Sequence, residues 1–383
     1  LSTLQESRAT GYLNDLPEIN YDFNAPIRQY GTVADSYKEI KLLAYFLQDF
    51  GEDMAALKAE VPAVRITPGD MHTLRTTCRH DETHGYVFFN NYQRHMKMED
   101  HPGVQLEGWL GAFDEENKNP NREKIVFPTF DLKEGMYGFF PYNMKLKDAT
   151  LKTALATPLC ILHTKEDDTF VFYGCQEPQF TWEDEKCVDI LHLSREEALN
   201  AWKVTLDQDY LVLSGNYVWA EDDKIKVTGG NDTKIAVYPA VKNGIENFKE
   251  CGKFGRFTVY ERVIETAETT ADVQVVKKTP ESSVYEITVN YPDSLKKEAR
   301  QTGRDVLLYF TYQGNRMEVF LDGEKINDYF YTGQEVPISL GYFEFPKKLT
   351  VEIFPLGEGD AVFLEKKPEF VDGVACKLSQ VRI

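Results

Sequence analysis

Val306-Leu-Leu-Tyr-Phe-Thr-Tyr-Gln-Gly-Asn-Arg-Met-Glu-Val-Phe-Leu-Asp-Gly323 holds two strand-like runs, 306–312 and 317–321. Gln313-Gly-Asn315 separates them, and Leu321-Asp-Gly323 closes the second. β-Branched and aromatic residues suit a pleated, half-buried surface, and Gly, Asn and Asp supply the turns between such runs. From about Gly252 onward the pattern recurs at 257–263, 284–289, 349–354 and 376–383. Regular short strands with polar turns predict an antiparallel β-sandwich or jelly roll.

Upstream the period stays near two. Runs 74–78 and 86–90 flank the polar turn His80-Asp-Glu-Thr-His-Gly85, and 124–130 and 136–141 suggest a second pair around Gly135. Further strands are expected at 170–173, 210–214, 224–228 and 234–238. The polar stretch 115–123 reads as an exposed loop. Ser194-Arg-Glu-Glu197 is a capping box that starts a short helix ending near Trp202. One strong helix is expected over 33–50, with Thr32 as N-cap, Asp35 near the positive dipole end and Gly51 beyond its end. Its apolar residues Tyr37, Ile40, Leu43, Leu47 and Phe50, widened by Leu42 and Phe46, predict one face on a core.

With 383 residues the chain exceeds one ordinary domain, and 42% hydrophobic residues suffice for sizeable cores. A net charge of −19 repels phosphates and anionic lipid, so neither nucleic acid nor a membrane surface is an expected partner. A neutral sugar is indifferent to that charge. No apolar run approaches the length of a membrane span. The six cysteines form no CxxC pair, so most are expected to be free buried thiols, and they fix no compartment.

Few motifs carry chemistry. His80 and His84 are four apart, a zinc spacing on a helix, but they lie in a turn, so no metal site is expected. There is no nucleophile elbow, P-loop or dinucleotide fingerprint, and no cofactor is expected. The runs 114–116 and 167–168 read as solvated charge. Trp109, Trp182, Trp202 and Trp219 could stack on sugars, but core filling is the commoner role. Asn231-Asp-Thr233 is a glycosylation sequon. Asn20-Tyr-Asp-Phe-Asn-Ala-Pro26, followed by the amphipathic helix, has the strand–loop–helix order of a barrel unit, whose strand ends line active sites.

Asn20-Tyr-Asp-Phe-Asn-Ala-Pro-Ile27 with Tyr30-Gly31 resembles the Y-D-Y segment of glycoside hydrolase family thirty-five, the β-galactosidases. In that family it forms the last strand and loop of a catalytic (β/α)8 barrel, and residues 36–51 resemble the closing helix. Gly85-Tyr-Val-Phe-Phe-Asn-Asn-Tyr-Gln-Arg94, Tyr137-Gly-Phe-Phe-Pro-Tyr-Asn143 and Ala156-Thr-Pro-Leu159 are similar to segments that follow it. Residues 305–310, 320–323 and Asp328-Tyr-Phe-Tyr-Thr-Gly333 resemble its galactose-binding-like jelly roll. The resemblance is weakest over 177–252.

The resemblance implies a mainly β chain: a remnant of the barrel (last strand and helix) at 1–55, β-rich domains at 56–250, and a jelly roll at 251–383. It implies a retaining hydrolase of terminal β-galactosyl residues, using two glutamates about 5–5.5 Å apart. Both lie N-terminal to the Y-D-Y segment in the family. No catalytic residue is therefore assigned to this chain, which alone is expected to be inactive. Tyr21, Asp22, Phe23 and Asn24 are the expected substrate-binding residues. Phe23 replaces the family's second tyrosine and lacks the hydroxyl a galactose site would use. The expected partners are a β-galactoside-containing glycan, the missing N-terminal barrel, and a second copy of the chain in a homo-oligomer. The competing readings are a non-catalytic carbohydrate-binding or scaffold β-protein, and a purely structural buttress, which would expose an apolar patch at Ile40, Leu43, Leu47 and Phe50.

Overall fold

The computed structural model describes residues 19, 21–22, 25–60, 65–93, 96–111, 122–174, 177–229, 232–242, 244–263, 268–302, 305–360, 362, 364 and 366–383. Strands dominate, and nearly all pair antiparallel. The chain divides into two compact units, Leu1–Tyr37 with Glu265–Ile383, and Lys38–Ile264. The sequence boundaries near 55 and 250 fall elsewhere: the first is at the end of a helix, the second inside the strand Lys249–Phe254.

The first unit is a β-sandwich. One sheet has the order Thr270–Lys278, Ser283–Asn290, Lys348–Phe354, Arg316–Leu321, Glu324–Phe330. The other runs Val336–Ser339, Leu307–Gln313, Lys377–Arg382. Alternation buries Ile287, Val319 and Val351 from one sheet against Leu308, Phe310 and Ile338 from the other. The two opening runs of the sequence are therefore not a hairpin. Leu307–Gln313 and Arg316–Leu321 lie in opposite sheets, and Gln313-Gly-Asn315 carries the chain across. Arg316–Leu321 instead pairs with Glu324–Phe330 through Asp322 and Gly323, both left-handed (φ 51° and 85°), as a two-residue hairpin loop requires. A helix, Asp293–Thr302, interrupts what the sequence suggested was nearly continuous strand.

The second unit holds a six-stranded sheet (Lys58–Glu60, Arg75–His80, Gly85–Asn90, Tyr137–Leu146, Ala149–Ala154, Phe180–Trp182). A three-stranded sheet contains one parallel pair, Asp168–Gly174 with Ile190–Ser194, and a five-stranded sheet begins at Ala201–Thr205. The Cys78↔Val87 pairing keeps the expected hairpin. The expected pair around Gly135 does not form: Tyr137–Leu146 joins Gly85–Asn90, while Lys124–Val126 joins Glu107–Trp109.

The long helix, α1, spans Asp35–Ala56, starting later and ending later than expected. Thr32 is buried and its hydroxyl caps nothing, and Gly51 lies within the helix. Its core row is Leu42, Phe46, Phe50 and Met54, at i, i+4 spacing. Phe46 packs edge-on to Tyr86 and Phe139 at 5.9 and 4.7 Å between ring centres. The short helix α2, Arg195–Leu199, forms as expected: Ser194 accepts from the Glu197 amide, and Glu197 accepts from the Ser194 amide. It ends before Trp202, which belongs to the next strand. No helix of the described residues is long and apolar enough to cross a membrane.

Candidate functional site

The candidate substrate segment lies within the first unit and packs on the sandwich edge. Pro26 to Ala34 close on themselves: Ala34 donates to Pro26 O at 2.9 Å and Arg28 to Thr32 O at 2.8 Å, around left-handed Gly31 (φ 74°). This small loop presents Tyr30 at its tip. No strand of a barrel forms among the described residues of 19–34; Ala25 instead turns back to Tyr21 O at 3.1 Å.

Five contacts fasten the segment to the sandwich. The Tyr329 hydroxyl donates to the Asp22 carbonyl at 3.0 Å, and the Ile19 amide to Asp328 Oδ1 at 3.1 Å. Arg28 donates to Glu335 O at 3.2 Å and to the Gln334 side chain. Asn327 reaches the Tyr30 hydroxyl at 3.5 Å. These partners belong to the edge strand Glu324–Phe330 and the turn after it.

Asp22 is buried, and its carboxylate accepts the Gln29 amide at 2.9 Å, bracing the turn. Burial pushes its carboxyl up, against the pull of that amide and of Arg28. Burial also pushes the Tyr329 phenol up to about 12, so it is a donor at neutral pH. Of the four expected substrate residues, then, Asp22 faces inward and supports the loop. Tyr21 is 55% exposed. Phe23 and Asn24 lie outside the described residues. Arg28 and Tyr30 were not singled out from sequence, although Arg28 follows Pro26-Ile27 directly and is the segment's buried cation.

The other sequence candidates resolve into structure-holding contacts. His80 is buried and bonds Glu60 at 2.8 Å, which in turn holds Arg122 in a two-pronged pair at 3.0 and 2.6 Å. His84 lies apart from it, bonded to Asp53 at 2.7 Å. The two rings serve different partners, and among the described residues no group of three His, Cys, Asp or Glu side chains could hold a metal. Asp168 is paired with His163 at 2.8 Å, and Asp167 with Lys147. Trp202 is buried, and Trp109 and Trp182 pack against cores, whereas Trp219 is 40% exposed. Cys78 and Cys160 are buried free thiols, but Cys187 and Cys251 are exposed, against expectation. The sequon Asn231, Cys175 and most of the 115–123 loop lie outside the described residues.

Fold and site define a mainly β protein that clasps a short aromatic-bearing segment on a sandwich edge. No family model matches the chain, and no curated protein matches it.

Proposed function

We propose that this chain is the C-terminal part of a retaining β-galactosidase-like glycoside hydrolase that removes terminal β-galactosyl residues from glycans, with both catalytic glutamates outside these residues. In this reading the Tyr21–Asn24 motif is the counterpart of the segment that ends the family's barrel, α1 is the barrel's closing helix, and the first unit's sandwich is the jelly roll. The ordered sequence resemblance motivates it.

One observation supports its contact with a barrel, a contact that the buttress reading shares. Helix α1 has a second apolar row, with Ile40 53%, Leu43 52% and Leu47 47% exposed, beside the row buried in the second unit. Leaving three such side chains about half-exposed forgoes roughly 1 kcal/mol each. A helix that closes a barrel needs apolar residues on both sides. Phe50, expected on the open face, is buried instead.

The test is hydrolysis of a chromogenic β-galactoside by this 383-residue chain and by a longer polypeptide that carries it behind a catalytic barrel. We expect no turnover from the first and turnover with retained anomeric configuration from the second. Turnover by the pure 383-residue chain would place the carboxylates within it. A longer polypeptide silent on β-galactosides would remove the reading. The second reading, a non-catalytic sugar-binding protein, draws on the exposed ring of Tyr342.

A further inference from the structure

The loop after Val336–Ser339 presents Tyr342, 67% exposed, at the surface of the sandwich unit. Exposure of one ring is ordinary. What is unusual is how firmly its backbone is held. The Gly341 amide donates to Asp305 Oδ1 at 2.9 Å, and Ser339 Oγ donates to the other oxygen of Asp305. The Tyr342 amide donates to Ser339 Oγ at 2.8 Å. The Phe345 amide donates to Leu340 O at 2.7 Å. Lys296 caps the Glu344 carbonyl at 2.7 Å, and the Tyr291 hydroxyl caps that of Phe345. A Cβ at Gly341 would sit 2.5 Å from Asp305 Oδ1, so any side chain there would push that carboxylate off its bond to the Gly341 amide.

The loop also stores strain. Glu344 and Phe345 are consecutive left-handed residues (φ 59° and 60°), each costing about 1–2 kcal/mol for a residue with a side chain. Phe345 is drawn into the core, which fixes the turn and forces Tyr342 outward. Strain of this kind persists where surrounding contacts over-determine it, and it clusters at binding sites.

Three rings make a ledge. Tyr342 meets Phe343 at 5.0 Å and 79°, and Tyr30 at 5.7 Å and 60°; Tyr30 meets Phe343 at 6.1 Å and 74°. Edge-to-face supports of this sort hold the Tyr342 plane at low entropic cost. Polar groups accompany the rings: Gln29, exposed and next to Tyr30 in sequence, and the carboxylate of Asp305, which the loop already engages; Asn327, which reaches the Tyr30 hydroxyl, is buried.

From this geometry we propose that Tyr342, backed by Tyr30 and Phe343, is a binding platform for one pyranose unit of a neutral β-linked polysaccharide. The inference deepens the glycan-directed reading above and rests on it. An axial C–H face of a pyranose carries partial positive charge and meets the negative face of an aromatic ring, while its hydroxyls need donors and acceptors at the rim. A protein partner is the other class of occupant for exposed apolar surface. The ledge differs from the aliphatic stripe of α1 in features that separate the two: two of its three rings, Tyr342 and Tyr30, carry hydroxyls, and the backbone that bears Tyr342 is held by hydrogen bonds. The chain's net charge of −19 turns away polyanionic glycans and leaves neutral ones.

The test is electrophoresis of the full 383-residue chain through native gels containing galactan, arabinogalactan, xyloglucan or laminarin. We expect retardation by at least one of these, at least tenfold weaker affinity in Tyr342→Ala, and retention in Tyr342→Trp. Trp219→Ala, on the other unit, should behave as wild type. No retardation of wild type by any of the four overturns the proposal, as does equal retardation of Tyr342→Ala. Association with the barrel polypeptide that Tyr342→Ala abolishes, without retardation by glycan, also overturns it and makes the ledge a protein interface. The two readings fail separately. Tyr342-dependent retardation confined to galactose-free laminarin keeps the ledge and counts against galactose as the substrate. β-Galactoside hydrolysis by the longer polypeptide, with no retardation, keeps the function and removes the ledge.

Discussion

Lys41 shows how far burial can move one group. Its ammonium donates to Leu199 O at 3.1 Å and lies 3.8 Å from the centre of the Trp202 ring. Burial, aided by nearby Lys38, pushes its pKa from 10.5 to about 7. The unfolded chain therefore binds a proton between those values where the folded chain does not, so stability rises with pH across that window. Below it both states are charged and the cost of burying the ammonium is fully present, on the order of 5 kcal/mol at most. Urea midpoints of wild type and Lys41→Met at pH 6.5 and 9.5 check this. The variant should lead by more at pH 6.5 than at pH 9.5; an unchanged gap would mean a charged, well-solvated amine. A second residue-scale expectation concerns Tyr329. Tyr329→Phe leaves the Asp22 carbonyl without its hydroxyl donor, which should cost about 1–2 kcal/mol and speed hydrogen exchange in the 25–34 loop specifically. Uniform faster exchange across the sandwich would instead mean global loosening.

At the scale of elements, the end of α1 is tied to the Arg75–His80/Gly85–Asn90 hairpin through one carboxylate. Asp53 accepts from His84 at 2.7 Å and from Tyr86 at 2.9 Å. The bond to Asp53 raises the His84 pKa above 6.5, and the same bond lowers that of Asp53. A raised base stabilises fully below its unfolded value and loses that contribution as pH rises through its folded one. Wild type should therefore exceed His84→Gln in melting temperature most clearly near pH 6, and the gap should narrow by pH 8.5; a pH-independent gap would assign the loss to packing. Ser194→Ala removes the capping box of α2 and should cost about 1 kcal/mol by chemical denaturation. That cap was legible in sequence because it is local: both partners lie within four residues. The strands were legible for the same reason, since period two is written along each segment. Partner choice was not. Nothing local distinguishes a hairpin at Gln313-Gly-Asn315 from a crossover between sheets, and the core decides it by burying Leu308 and Val319 from opposite sides. Asp293–Thr302 escaped because its composition is almost wholly polar and its apolar stripe is only Leu295 and Ala299, which pack on the sandwich core. The site was half legible. Tyr21 and Asp22 could be named from their motif, but the inward turn of Asp22 depends on Gln29, and the Tyr342 ledge depends on Tyr30, more than 300 residues away in sequence.

At the scale of the whole molecule, the open face of α1 is the feature whose cause lies furthest from its neighbours. Soluble surfaces tolerate scattered apolar residues, but a row at i, i+3, i+7 on a well-packed helix implies a partner. Ile40, Leu43 and Leu47 form such a row, while the adjacent row in the same helix fills the second unit's cores. If the row belongs to an interface with a barrel, Leu43→Asp with Leu47→Asp should leave the 383-residue chain folded, its urea midpoint moved by no more than surface changes allow, about 0.5 kcal/mol. The same pair placed in the longer polypeptide should cut β-galactoside hydrolysis more than tenfold, because two carboxylates would be forced into an apolar contact. Unfolding of the 383-residue chain by the double substitution would show that the row supports this chain's own core. Unimpaired hydrolysis by the longer polypeptide would separate α1 from the barrel altogether, and the open face would then require an occupant of another kind.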